Sequence, residues 1–143
     1  MATTRTANAH WEGPLMGGKG SVSLHSSGMG RYDVSWPARA EEPNGKTSPE
    51  ELIAAGWAAC FAMALSHGLA QAGNPPEKLE TSATVTFQPG EGITRIALTV
   101  EGRVPGLDEG AFREAAEGAS RNCPVSKALA AVPEITLEAR LAG

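Results

Sequence analysis

Cysteine is scarce in this chain: among 143 residues there are only Cys60 and Cys123. Two cysteines cannot build the dense disulfide framework of a small secreted domain. They stand 63 positions apart, so the sequence holds no C-x-x-C redox motif and no short zinc motif. The three histidines, His10, His25 and His67, show no paired metal spacing. A metal site needs at least three converging ligands, so no metal is expected. Long basic runs are also missing, and the net charge is −4. A nucleic-acid footprint requires a dense basic face, which excludes DNA or RNA as the expected partner. No apolar core of a secretory signal lies within residues 1–10, and none is expected. The most apolar run, Leu52 to Leu65, is fourteen residues, too short to cross a bilayer, and Glu50, Glu51, His67 and Gln71 flank it. These absences predict a cytoplasmic protein with no membrane partner, in a compartment that keeps thiols reduced. Gly17-Gly18-Lys19-Gly20 lacks the phosphate-loop pattern and a following helix, so it reads as a hairpin turn.

What is present describes a folded chain. Charged residues make up 20% and apolar residues 41%, ordinary values for a globular protein. The length suits one domain over 1–143. Seventeen glycines and many alanines allow backbones to approach closely, within the chain or across a subunit interface.

The N-terminal third alternates like strands through Ala9-His10-Trp11, Ser21 to His25 and Arg31 to Trp36. Pro37 closes that region, and Ala38 to Thr47 reads as a polar loop. A helix start follows: Ser48 as N-cap, Pro49 in the first turn and Glu51 completing a capping box. The helix continues to about Ala72, where Gly73-Asn74-Pro75-Pro76 stops it. Apolar residues on all faces of its middle predict a buried central helix. Two strands alternate through Ala83, Val85, Phe87 and Ile96, Leu98, Val100, joined by a hairpin at Gln88 to Gly92. Asp108 caps a helix over 109–121, Pro124 to Ala131 forms a short one, and Ile135 to Leu141 is a last strand. The order βββ-α-ββ-αα-β predicts an α+β fold with antiparallel pairing around the long helix.

Several residue types could carry chemistry. Cys60 lies mid-helix among Gly56, Trp57, Met63 and Ala64, where burial alone disfavours a thiolate. A thiolate there needs a cation. Cys123 precedes Pro124 at a helix N-cap, close in sequence to Arg121, which locally favours the thiolate. Two unrelated buried thiols, acting as small hydrophobes, fit these local features equally well. Glu51 is accounted for by helix capping. Glu50 is freer, but on an ideal helix it precedes Cys60 by about 15 Å along the axis. It can serve the same chemistry only through an intermediary or across a subunit interface. Arginine suits that role because it stays charged and grips a carboxylate with two hydrogen bonds. Arg39, in the segment before the cap, and Arg31, in a strand, are the candidates.

Three stretches resemble the OsmC/Ohr family of osmotically inducible and organic-hydroperoxide-resistance thiol peroxidases, with the OsmC branch favoured. They are His10-Trp11-Glu12-Gly13 with Gly18-Lys19-Gly20, then Ser48 through Phe61, then Asn122-Cys123-Pro124-Val125-Ser126-Lys127. One departure is Ser48 where the family usually has asparagine, a change that keeps the cap. The resemblance implies an intertwined homodimer of OsmC-like α+β domains. It implies a Cys60 that attacks the peroxide, a Cys123 that resolves it, and Arg39 paired with Glu50 as the catalytic cation, Arg31 being the reserve. No cofactor is implied. The reductant would be an external dithiol, with family resemblance pointing to a lipoyl-type one. Trp57, Phe61 and Met63 around Cys60 are expected to bind the substrate and to favour organic hydroperoxides over hydrogen peroxide. Two other classes remain open. An apolar small-molecule-binding stress protein on the same fold is suggested by the Ala/Gly-rich helix. A general disulfide reductase is opposed by the missing C-x-x-C.

Overall fold

The computed structural model describes residues 2–142. The chain divides into two compact units, 1–52 and 53–143.

The first unit holds a three-stranded antiparallel sheet: β1 (Asn8–Glu12), β2 (Lys19–Ser23) and β3 (Arg31–Val34), in the order β1-β2-β3. The Gly-rich segment does form the β1–β2 connection. Gly18 and Gly20 sit so close to the Trp11 indole and to backbone carbonyls that a Cβ at either position would collide. Close approach, rather than phosphate binding, accounts for the glycines there.

The expected loop from Ala38 begins instead with a short helix, α1 (Trp36–Ala40). The Ser35 hydroxyl accepts from the Ala38 N–H at 3.1 Å, and Pro37 occupies the first turn. Proline's missing N–H costs nothing in the first turn, where it would have no partner within the helix, so with Ser35 as cap Pro37 opens a helix here rather than ending a strand. The loop that follows turns at Asn44 and Gly45, both with positive φ (47° and 77°).

Helix α2 (Pro49–Gln71) begins as the sequence predicts. The Ser48 hydroxyl accepts from the Glu51 N–H at 3.1 Å. The reciprocal half of the capping box is replaced: Glu51 accepts from the Thr47 hydroxyl at 2.6 Å. Gly73, at φ 89°, ends the helix in the left-handed region. At 23 residues, α2 exceeds the fourteen-residue apolar run, and by length and composition alone it could cross a membrane. Trp57, Phe61, Leu65 and Leu69, spaced four apart, are buried in the core of the second unit instead.

The prediction of a helix buried on every face is therefore corrected: within one chain α2 buries a stripe. Ala55, Gly56, Ala59, Met63 and His67 are exposed, Met63 to 72%. The pattern was misread because alanine and glycine look apolar at every angle, whereas only the large side chains mark the buried stripe.

The second unit contains another three-stranded sheet, in the order β4-β5-β6: β4 (Lys78–Gln88), β5 (Gly92–Arg103) and β6 (Glu134–Leu141). β4 and β5 form the expected hairpin, with a register shift between Thr86 and Phe87. β6 pairs with β5 in parallel, so the antiparallel pairing expected from sequence fails at this strand, and the strands form two sheets, one of them mixed. The chain leaves β5 into α3 (Glu109–Asn122) and α4 (Pro124–Ala128), and this helical crossover lets β6 return alongside β5. α3 buries Phe112, Ala116 and Ala119, and Cys123 continues that stripe.

Candidate functional site

Cys60 and Cys123 are joined by a disulfide, with their Cα atoms 6.2 Å apart. The fold brings them together from two helices. Cys60 sits on the flank of the α2 stripe and packs against the core cluster. Cys123 is both the C-cap of α3 and the N-cap of α4, in extended conformation (φ −58°, ψ 131°). Its N–H donates to the Ala119 carbonyl at 3.0 Å. The two cysteines differ in burial: Cys123 is 0% exposed, while Cys60 is only half-buried. Arg121, the cation nearest Cys123 in sequence, is exposed.

In the first unit Arg39 and Glu50 form the paired cation and carboxylate. Arg39 Nε donates to both Glu50 oxygens, at 3.0 and 3.2 Å, and a terminal nitrogen donates to Oε2 at 2.8 Å. The Glu50 carboxylate is held side-on by a planar fork, the geometry that makes Arg–carboxylate pairs directional. The pair forms within one chain. The Arg39 guanidinium also lies 6.0 Å from the Trp36 ring centroid, at the reach of a cation–π contact. Trp36 and Arg39 are three apart, so a helix at α1 sets them on one face. Reading that segment as a loop hid this contact. Arg31, the reserve, is engaged elsewhere and donates to the Ser21 hydroxyl at 2.9 Å.

The three residues expected to bind substrate are divided. Trp57 and Phe61 are fully buried in the core of the second unit. Met63 faces outward and lines an open groove with Ala62, Ser66, His67 and Leu79. Two buried polar atoms among the described residues have no hydrogen-bond partner, Trp57 Nε1 and the Ser126 hydroxyl. Sequence reasoning named Trp57 only as part of the apolar surroundings of Cys60 and passed over Ser126. Their signal was position: Trp57 is three residues before Cys60, and Ser126 is three after Cys123. No group of three or more His, Cys, Asp or Glu among the described residues could hold a metal ion.

Comparison with known proteins agrees with this architecture. A family model described as OsmC-like protein matches residues 42–138. The chain is 42% identical to peroxiredoxin OsmC of Escherichia coli (strain K12) over 144 residues, covering 99% of each. It is 32% identical to the organic hydroperoxide resistance protein OhrB of Bacillus subtilis (strain 168), over 85% of this chain and 90% of that protein. Among solved structures, an OsmC-like protein from Mycoplasma pneumoniae superposes with a TM-score of 0.74, covering 100% of both chains at 18% identity. That last likeness shows the fold alone.

Proposed function

The chain belongs to the OsmC-like protein family, and from that premise we propose that it reduces organic hydroperoxides to alcohols through Cys60 and Cys123. The observation that carries this reading is the Cys60–Cys123 disulfide, which pairs the only two cysteines across 63 positions of sequence. The names of the relatives support the same chemistry, since one is a peroxiredoxin and another an organic hydroperoxide resistance protein.

The steps balance as follows. The Cys60 thiolate attacks one peroxide oxygen and the O–O bond breaks. The alkoxide takes a proton and leaves as an alcohol, and Cys60 becomes a sulfenic acid. The Cys123 thiol condenses with it, releasing water and closing the disulfide. An external dithiol then restores both thiols by exchange. Cys60 is the sulfur we assign to attack, because it is the half-buried one of the pair. In this reading Arg39, oriented by Glu50, supplies the cation that a thiolate on an apolar helix needs. Trp57 and Phe61, in the core cluster against which Cys60 packs, make its surroundings apolar, and the exposed Met63 one turn on would extend them, which favours hydroperoxides carrying a hydrocarbon group.

The protein acts, in this reading, as a homodimer in the cytoplasm, with a dithiol reductant, of which a lipoyl protein is one candidate. Two exposed apolar surfaces support the dimer. In the first unit Trp11, Met16, Met29 and Tyr32 are exposed, and on α2 so are Ala55, Ala59 and Met63. The test is consumption of cumene hydroperoxide and of hydrogen peroxide with dithiothreitol or dihydrolipoamide as reductant. The organic substrate is expected to react faster, and Cys60→Ser is expected to reduce both rates to background. Full activity in Cys60→Ser would refute the reading.

A further inference from the structure

The disulfide must open in every cycle of the proposed reaction, and the structure bears on how. Cys123 is inaccessible, whereas Cys60 retains some exposure. Of the two cysteines, Cys60 is therefore the one open to an incoming thiolate, because a fully buried Cys123 offers no approach. Attack at Cys60 forms a mixed disulfide there, breaks the bond between the two cysteines, and leaves the electron pair on Cys123. The dithiol's second thiolate then attacks its own bonded sulfur, closes a cyclic disulfide, and releases the Cys60 thiolate. Two electrons pass from dithiol to protein. The critical leaving group is a Cys123 thiolate formed in a fully buried position, where an anion without a hydrogen-bond donor is costly.

One donor is in place. Ser126 is 93% buried, by its relative exposure of 7%, and its hydroxyl has no partner in the disulfide form. An unpaired buried hydroxyl carries a desolvation penalty, so its retention calls for an explanation. Cys123 is the N-cap of α4 and Ser126 is three residues on, and residues three apart are neighbours on a helix surface. In the disulfide form Cys123 makes no side-chain cap bond, because its sulfur is tied to Cys60. Breaking that tie frees the sulfur to rotate about χ1 toward its own helix.

We propose that Ser126 is a positioning residue for disulfide reduction: its hydroxyl, unpartnered while the disulfide is closed, donates to the Cys123 thiolate when the disulfide opens. The hydroxyl acts on the leaving group through Cys123 and touches neither peroxide nor reductant. This rests on the thiol-peroxidase reading for its place in a cycle, but the exchange step can be measured without peroxide.

The experiment is the exchange equilibrium between the protein and reduced and oxidised dithiothreitol at pH 8, with thiols trapped by alkylation and counted by mass. Ser126→Ala should disfavour the reduced form about tenfold, the size of one lost hydrogen bond to a charged acceptor. The rate of reduction by dithiothreitol should fall with it. Ser126→Thr keeps the hydroxyl and should restore both values toward wild type, whereas Ser126→Val, of equal size, should not. The Thr and Val pair carries the test if the alanine variant folds poorly. A hydroxyl unpartnered in both redox forms would affect both equally, so an equilibrium unchanged in Ala and Val would overturn the proposal. A wild-type protein that exchanges with dithiothreitol as expected but does not consume peroxide would instead refute the peroxidase reading.

Discussion

Removing Arg39 and removing Glu50 should have unequal consequences, and the inequality follows from burial. The Glu50 side chain is 8% exposed and the Arg39 side chain 33%. Arg39→Ala strands a carboxylate that solvent barely reaches. Breaking a fully buried pair from one side costs about 3–5 kcal/mol. Because Arg39 is one-third exposed, water enters part of the space its side chain vacates, and the expected cost falls to about 2–3 kcal/mol. Glu50→Ala leaves the guanidinium with more solvent and with the Trp36 ring, so its cost should be about 1 kcal/mol. The double variant removes both charges and should cost less than the two single changes together, a coupling of at least about 1 kcal/mol. Urea unfolding of the four proteins, followed by circular dichroism in the oxidised state, measures all three differences. Equal single-variant costs, or additive ones, would refute the argument that Glu50 depends on Arg39 for its burial.

Reducing the disulfide should lower stability by up to about 4 kcal/mol, since it frees a loop of 63 residues in the unfolded chain. Urea midpoints with and without dithiothreitol check this, and unchanged midpoints would contradict it. Gly102→Ala should destabilise by about 1–3 kcal/mol, because a Cβ there would lie 2.7 Å from the buried Phe112 ring and 3.0 Å from Leu79. Differential scanning calorimetry reads the loss directly, and an unchanged Tm would show that the ring can yield. Ser35→Ala removes the cap of α1 and should cost about 1 kcal/mol. It should also lower peroxidase activity if α1 is what aims Arg39; a stability loss with full activity would separate the two roles.

Much of this arrangement was legible in the sequence because strong local signals carried it. Ser48-Pro49 set the start of α2, alternation set β4 and β5, and Asp108 set α3, where its carboxylate accepts from the Ala111 N–H at 2.8 Å. The misreadings have physical causes. Pro37 ends a strand or starts a helix with equal local logic, and the Ser35 cap decided for the helix. The parallel pairing of β6 is a matter of where a crossover returns, which no residue pattern in the strand records. For α2, alanines and glycines disguised a one-sided helix as one buried all round.

The site divides the same way. Local electrostatics favoured Cys123 as the more acidic thiol, because a cap position and a nearby arginine can be read from a few residues. Accessibility, which favours Cys60, is tertiary and was invisible there. The family resemblance supplied both Arg39–Glu50 and Cys60–Cys123 as pairs, and the structure joins each of them. The place of Ser126 three residues after Cys123 is readable in the chain, but its orphaned hydroxyl is not, because lacking a partner is a property of the folded environment.

The central claim is that the two cysteines pass through one peroxide-driven cycle. Its most direct test is to treat the fully reduced protein with one equivalent of cumene hydroperoxide and map the product by peptide mass spectrometry. The account predicts loss of both thiols, a linked Cys60–Cys123 peptide, one equivalent of cumyl alcohol, and in Cys123→Ser a sulfenic acid trapped on Cys60. Peroxide left unconsumed, or a sulfenic acid found on Cys123 of the Cys60→Ser variant at the wild-type rate, would contradict it.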